Sequence, residues 1–483
     1  IDAGLILFRD IAIYQKYPDL IENTVILFIP SLNADGHNRM SPYNRINQNG
    51  PEEMGWRTNA LYQNLNRDYL KIDSPELQAW VKLFNTWLPD FFIDCHTTDG
   101  ADYQYSITYI TEDNGNMNEA QSLWQSKKLI PYLEVEMEKD GHLIFPYVSF
   151  RRWHDPRSGL KNYVTRPALS HGYTAIQNRA GFLIETHMLK DYKTRVEGTY
   201  HAVKHIIKFI NDDAKNLVLL NKEADEDIAN SSFREQPFPI SYAATNDSTM
   251  IEFKGIEYTV DSSDLTGGPW FKYNGEKKTF ILPFFNVHEP NALAELPEAY
   301  IIYPEWKDVI EKVKIHGIEV KELTEEKTIP VKSYKFDQVQ FSQAPFEGRQ
   351  LITDFELIDI EEERTYPKGS YIIDMNQRTA KVIAHIFEPK SPDSYINWGY
   401  FNAIFEQKEY SETYVMEGKA REMLASNPEL QKEFEKAKAE NPQLFQYQWP
   451  MLNWFYQRTE YWDQYKDVYP VGKIMEREIV DGL

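Results

Sequence analysis

The stretch Phe91-Phe92-Ile93-Asp94-Cys95-His96-Thr97-Thr98-Asp99-Gly100 reads as a short buried strand over 91–95 that closes in a polar cluster. Two other apolar runs end the same way. Residues 24–30 (TVILFIP) lead into SLNADG, and 182–184 (FLI) lead into Glu185-Thr186-His187. Helical patterns at about 75–88, 117–139 and 193–211 alternate with these runs, which predicts an α/β/α sandwich on a mixed, largely parallel sheet. In such sheets the ligand crevice lies at the carboxyl ends of the strands, so His96 and Glu185 are expected to be neighbours. An imidazole can ligate zinc, and a carboxylate beside a metal-bound water can take its proton. The plainer alternative is that strands simply end in polar loops.

Working outward, Asp2 is placed to cap a helix running to about Tyr17, with Leu5, Phe8 and Ala12 on its inner face. Residues 211–236 are charged and aperiodic and read as a connector. Strands follow at 249–260 and 278–285, then a strand, helix and strand across 299–323. A β stretch runs over 333–374, and helices are expected at 376–387 and 411–440. This divides the chain into residues 1–215 and an acidic α+β region, 216–483, with a further split near 330.

Composition narrows the function classes. The formal charge of −22 argues against a nucleic-acid surface, which needs clustered Lys and Arg. That charge is uneven: residues 1–210 hold 22 basic and 25 acidic side chains, and the remainder holds 30 and 49. Eight of the eleven histidines also lie in the first 210 residues, so the chemistry is expected there. Cys95 is the one cysteine, which excludes an intrachain disulfide, and it reads as a buried small hydrophobe. No apolar run approaches the ~20 residues of a membrane span.

A second constellation is Trp56-Arg57-Thr58-Asn59 followed by Gln63-Asn64-Leu65-Asn66-Arg67-Asp68-Tyr69. Asn66 and Arg67 offer an amide and a guanidinium fork, a good pair for a carboxylate. Arg57 is a separate cation suited to a developing oxyanion. A surface loop of Asn turns and solvated charge is the alternative reading.

The order LNADG, WRTN, NLNRDY, SPE, PDFFIDCHT, FLIET resembles the zinc metallocarboxypeptidases of the carboxypeptidase A type, over about residues 1–205. The resemblance implies a zinc cofactor with His96 as its third ligand. It makes Glu185 the general base, Arg57 the oxyanion cation, and Asn66 with Arg67 the grip on the C-terminal carboxylate of a peptide substrate. Asn64 falls where many members carry an Asp that orients the first zinc histidine. The family's substrate-capping tyrosine corresponds to Tyr163 or Tyr173. The family's first two ligands come from an HxxE motif ahead of a helix like IDAGLILFRDIA, and the given chain starts after that point. Either those ligands lie upstream or the protein lacks them; the expectation is the former, because Asp2-Ala3-Gly4 reads as that motif's continuation.

His201 and His205 form an i, i+4 pair, but Val203, Ile206, Ile207 and Ile210 occupy another face of the helix, so the pair is read as solvated. His171 and His187 stay open. The resulting expectation is a hydrolase that removes a C-terminal residue from peptides. The alternatives are a metal-free peptide-binding module and an amidase or deacylase of N-acyl amino acids. The acidic region resembles extensions of long bacterial relatives and is expected to wall or gate the cleft, with a homodimer as a further use. The family's habits imply a periplasmic or secreted location.

Overall fold

A computed structural model describes residues 1–113, 115–152 and 154–483. The first six strands are β1 (Phe91–Thr98), β2 (Ile107–Ile110), β3 (Ile144–Pro146), β4 (Ser149–Arg152), β5 (Asp155–Lys161) and β6 (Ala180–His187). Four of them form a sheet in the order β1-β6-β2-β3. The β1/β6 and β2/β3 pairs are parallel and the β2/β6 pair antiparallel. The sheet is therefore mixed, and the α/β class read from the alternation is the class observed. β6 reads AGFLIETH because it is flanked on both edges and covered on both faces, where apolar side chains are stable.

Helices cover both faces. Alternation along β1 sends Phe92, Asp94 and His96 to one side and Phe91, Ile93 and Cys95 to the other. On the first side Phe92 meets Trp80 of the Pro75–Trp87 helix, ring centroids 5.2 Å apart. That helix starts where Ser74 accepts the Leu77 N–H and Pro75 occupies the first turn, a donor-free position. On the second side Phe91 and Ile93 pack with Trp124, Leu133, Phe182 and Ile206. There the Tyr192–Asp212 helix lies among β6, the Asp2–Ala12 helix and the Ile130–Lys139 helix.

Several expectations need correction. The first helix stops at Ala12 and buries Ala3, Leu7 and Ile11, leaving Leu5 and Ala12 exposed. Both sets have helical spacing, and it is the neighbouring Ile207 that selects the second. Residues 24–30 form no ladder among the described residues, and Val25 is 80% exposed. A strand without a partner gains neither hydrogen bonds nor a covered face. β1 is consequently an edge strand, and Cys95 is exposed on it rather than buried. The charged stretch 211–236 is mostly helix, Ala214–Ala229, burying Leu217, Ala224 and Ile228.

Beyond that helix, Thr249–Ser262 and Pro269–Phe285 pair antiparallel, and Leu160 and Lys161 of β5 join them through Phe284 and Phe285. A six-stranded sheet is built from Ala299–Ile302, Lys321–Glu322, Lys327–Phe341, Ile352–Tyr366, Tyr371–Asp374 and Val471–Ile474, with its neighbouring strands antiparallel. Its apolar face shares a core with the first half: Tyr69, Leu70, Trp80 and Tyr173 lie in one cluster with Tyr300, Ile310 and Ile383.

Polar anchors cross the same seam. Arg349 donates to both oxygens of Asp73 at 2.6 and 2.7 Å, and Lys312 and the Tyr400 hydroxyl reach the same carboxylate at 3.1 and 2.9 Å. Burial opposes charge on Asp73, yet Arg349, Lys71 and Lys312 together hold its carboxyl well below the usual range. His316 is fully buried, with Nε2 donating to the Leu70 carbonyl at 2.9 Å and Nδ1 accepting from the Tyr173 hydroxyl at 2.8 Å. Burial pushes this imidazole down to about 3, so it is neutral.

Candidate functional site

Parallel pairing sets His96 directly beside Glu185 at the carboxyl ends of β1 and β6. The register is locked by Thr186, whose hydroxyl donates to the His96 carbonyl at 3.1 Å. Asp94, two residues before His96 on the same face, lies 2.6 Å from His96 Nε2. Burial works against charge on His96, but Asp94 and, further off, Glu185 raise it to about 9. Glu185 responds in the opposite direction. Its burial, reinforced by Asp94 and Asp99 against His96 and Arg57, pushes the carboxyl up to about 7. Glu185 Oε2 is buried with no hydrogen-bond partner among the described residues, so one oxygen is left for a ligand or a proton.

The Ser170–Ile176 helix closes the floor of this site. The helix folds tightly onto the loop that leads into it, where a Cβ on Gly172 would clash with the Arg166 carbonyl oxygen. His171, on that helix, is buried with Nε2 2.8 Å from the Thr165 hydroxyl and Nδ1 unpartnered among the described residues. Burial pushes it down to about 3 against the pull of Asp94. His187 is also buried, and it braces the end of β6 against the 102–103 loop through Asp102 and the Tyr103 N–H, each at 3.3 Å. Its Nδ1 accepts the Leu189 N–H at 3.2 Å, so both ring nitrogens are engaged in holding structure.

The expected cations gather here. Arg57 is close enough to lower the Glu185 pKa, and Arg67 close enough to lower that of His96. Arg57 is exposed, while Asn66 and Arg67 are half-buried in the Leu65–Arg67 turn. Arg67 Nη1 donates to the Asn66 carbonyl at 2.5 Å, and Asn66 Oδ1 accepts the Ser170 N–H at 3.4 Å. The Asn64 N–H donates to Glu347 at 3.0 Å, so a loop of the acidic half touches this turn. Arg45 lies near Arg57 and is depressed first by burial and then by that neighbour.

The two tyrosines separate. Tyr163 is 57% exposed, with its hydroxyl 3.0 Å from Ser149 Oγ. Tyr173 is in the core, its hydroxyl committed to His316 and Gln177, so it is not available to cap a substrate in this structure. Asp94 and Arg45 join the site without having been singled out from sequence, while His171, left open there, brings its Nδ1, unpartnered among the described residues. Of the first two only Asp94 had a local signal, the Asp-x-His spacing on one strand face.

Whether these residues fit zinc can be tested on the donor set. Around His96 the described residues supply one imidazole and the carboxylates of Asp94 and Glu185, but no three ligand atoms within reach of one ion. A lone imidazole holds zinc weakly. The described residues alone therefore do not make a zinc site at His96. Three such donors do converge elsewhere: Asp140, His201 and His205 have ligand atoms within 4.8 Å of one another. The reading of His201 and His205 as solvated is thereby corrected, because His205 is 8% exposed and both rings turn to Asp140.

A histidine and a carboxylate paired at strand ends, ringed by arginines, is an arrangement suited to hydrolysis at an anionic substrate. The chain is similar to Carboxypeptidase 2 of Trichophyton rubrum, 22% identical over 410 residues, covering 82% of this chain and 70% of that protein. Carboxypeptidase 2 of Trichophyton equinum matches at 22% over 412 residues with the same shares, and Probable carboxypeptidase 2 of Arthroderma benhamiae at 21% over 404 residues, 80% and 70%. The likeness thus extends well past residue 205, into the acidic half. These relatives are fungal and lend nothing to the expected bacterial lineage. No family model matches the chain, and no solved structure matches it. Among the described residues no helix is long and apolar enough to cross a membrane.

Proposed function

We propose that the protein is a carboxypeptidase-like hydrolase that releases a C-terminal residue from peptides, with Glu185 as general base and Arg57 as oxyanion cation. Asn66 and Arg67 grip the substrate's free carboxylate. The observation that carries the reading is the in-register pairing of His96 with Glu185, within the electrostatic reach of both arginines. The similarity to proteins named carboxypeptidase supports the same class.

The chain's own residues have distinct tasks in this reading. The free oxygen of Glu185 takes a proton from the attacking water and returns it to the leaving amine. Arg57 offsets charge that develops on the carbonyl oxygen, where a cation gains more than it does on the neutral ground state. The Arg67 fork, steadied by the Asn66 carbonyl, fixes the terminal carboxylate and with it the position of the scissile bond. Tyr163, with its exposed ring, is the tyrosine assigned to substrate contact. Zinc enters the proposal only through the resemblance, which makes His96 one ligand; the described residues alone do not hold it, and the roles given to Glu185, Arg57 and Arg67 rest on their own placement. Residues 1–215 form the catalytic unit, and 216–483 wall its cleft through contacts such as Glu347 to Asn64. A secreted location follows from the same reading.

Glu185→Gln tests it. The substitution is expected to remove turnover of peptide substrates while binding persists; undiminished kcat would exclude Glu185 as the base.

A further inference from the structure

The Tyr192–Asp212 helix carries His201 and His205 one turn apart, so both rings leave the same side of the helix. Asp140 reaches them from the C-terminal cap of the Ile130–Lys139 helix, at a turn that Gly141 completes with φ +83°. One oxygen of Asp140 lies 2.6 Å from His201 Nδ1 and 2.7 Å from His205 Nε2. His142 stands behind, its ring 5.5 Å from that of His201 and its Nδ1 3.3 Å from Ser106 Oγ. Two imidazoles and a carboxylate, drawn from two helices, are more than packing requires of a helix surface.

We propose that Asp140, His201 and His205 form a divalent transition-metal site separate from the His96–Glu185 crevice. An N2O donor set of this kind suits zinc and its first-row neighbours, and it is a poor match for magnesium, which takes oxygen ligands. The ligand atoms stand slightly closer together than they would around one ion. With tetrahedral metal–ligand bonds of roughly 2.0–2.2 Å the ligand atoms stand about 3.3–3.6 Å apart, so Asp140 must draw back by roughly 0.6–1 Å, which a half-exposed side chain on a helix cap can do. Lys204 already marks the place for a cation: its ammonium lies 3.4 Å from Asp140 Oδ2 and 3.3 Å from His201 Nδ1. Metal and Lys204 therefore compete for one carboxylate. No Glu stands between the histidines to act as a base, so the ion would clamp two helices together rather than hydrolyse.

The test uses the full-length chain carrying His96→Ala, stripped with a chelator and titrated calorimetrically with zinc chloride or magnesium chloride. About one zinc per chain is expected to bind, and to raise Tm by about 2–4 °C. Magnesium is expected to do neither. His205→Gln should lose the zinc heat and the Tm rise, while Lys204→Met should bind zinc roughly tenfold more tightly because a like charge is gone. Absence of zinc binding, equal response to magnesium, or unchanged zinc affinity in both variants overturns the proposal. The Lys204→Met arm keeps it falsifiable if His205→Gln does not fold.

Discussion

The strand-end crevice and the seam with the acidic half use the same residue types to different ends. In the crevice Asp94 and His96 pair with each other, but Glu185 keeps a bare oxygen among the described residues, and burial raises its carboxyl to about 7. At the seam the two central groups are matched. Asp73 receives Arg349, Lys312, Lys71 and Tyr400, and both nitrogens of His316 are engaged. A carboxylate saturated with donors is a staple, and one held short of donors is available for chemistry. Substitutions in the crevice should therefore change rate, and substitutions at the seam should change stability.

The largest separation is expected for Glu185→Gln, which should lower kcat by about 10²–10⁴ with Tm nearly unchanged. Steady-state kinetics beside calorimetry read both numbers, and a large Tm loss with modest rate loss would merge the two regions. Next comes Arg349→Met, which leaves Asp73 short of its bidentate partner and should cost about 3 kcal/mol in chemical denaturation. The staple is also pH-dependent. Because the folded Asp73 carboxyl sits below its ordinary 3.8, its contribution is present above that value and fades as pH falls further. The acid limb of the stability curve should accordingly be shallower in Asp73→Asn.

Arg67→Lys returns to the crevice with a smaller effect. A point charge cannot form the paired hydrogen bonds, so KM for free-acid peptides should rise roughly tenfold with kcat less affected. Equal changes on amidated peptides would remove Arg67 from the grip. His316→Gln is expected to do least. Folded His316 titrates at about 3, so between there and the ordinary 6.5 the unfolded chain binds a proton that the fold refuses. Stability contributed by this residue falls as pH drops through that window, and the variant should flatten the slope in urea melts.

How much of this the sequence disclosed follows from range. β1 and β6 were legible because short apolar runs with polar ends need only local pattern, and their parallel pairing brings His96 to Glu185. The first helix was legible as a helix but not in its buried face, since Leu5-Phe8-Ala12 and Ala3-Leu7-Ile11 obey one spacing until Ile207 arrives. The run 24–30 has strand composition, yet a strand exists only with a partner. Tyr173 and His205 were misjudged for one reason. Their neighbours, His316 and Asp140, lie 143 and 65 residues away and leave no trace in the local pattern.

The central claim is that the crevice recognises a free C-terminal carboxylate and cuts one residue from it. The most direct measurement is mass-spectrometric analysis of products from two peptides of one sequence, one ending in a free acid and one in an amide. Stepwise loss of single C-terminal residues from the acid, with the amide intact, is the predicted result. Equal cleavage of both peptides, or cuts inside the chain, would contradict it.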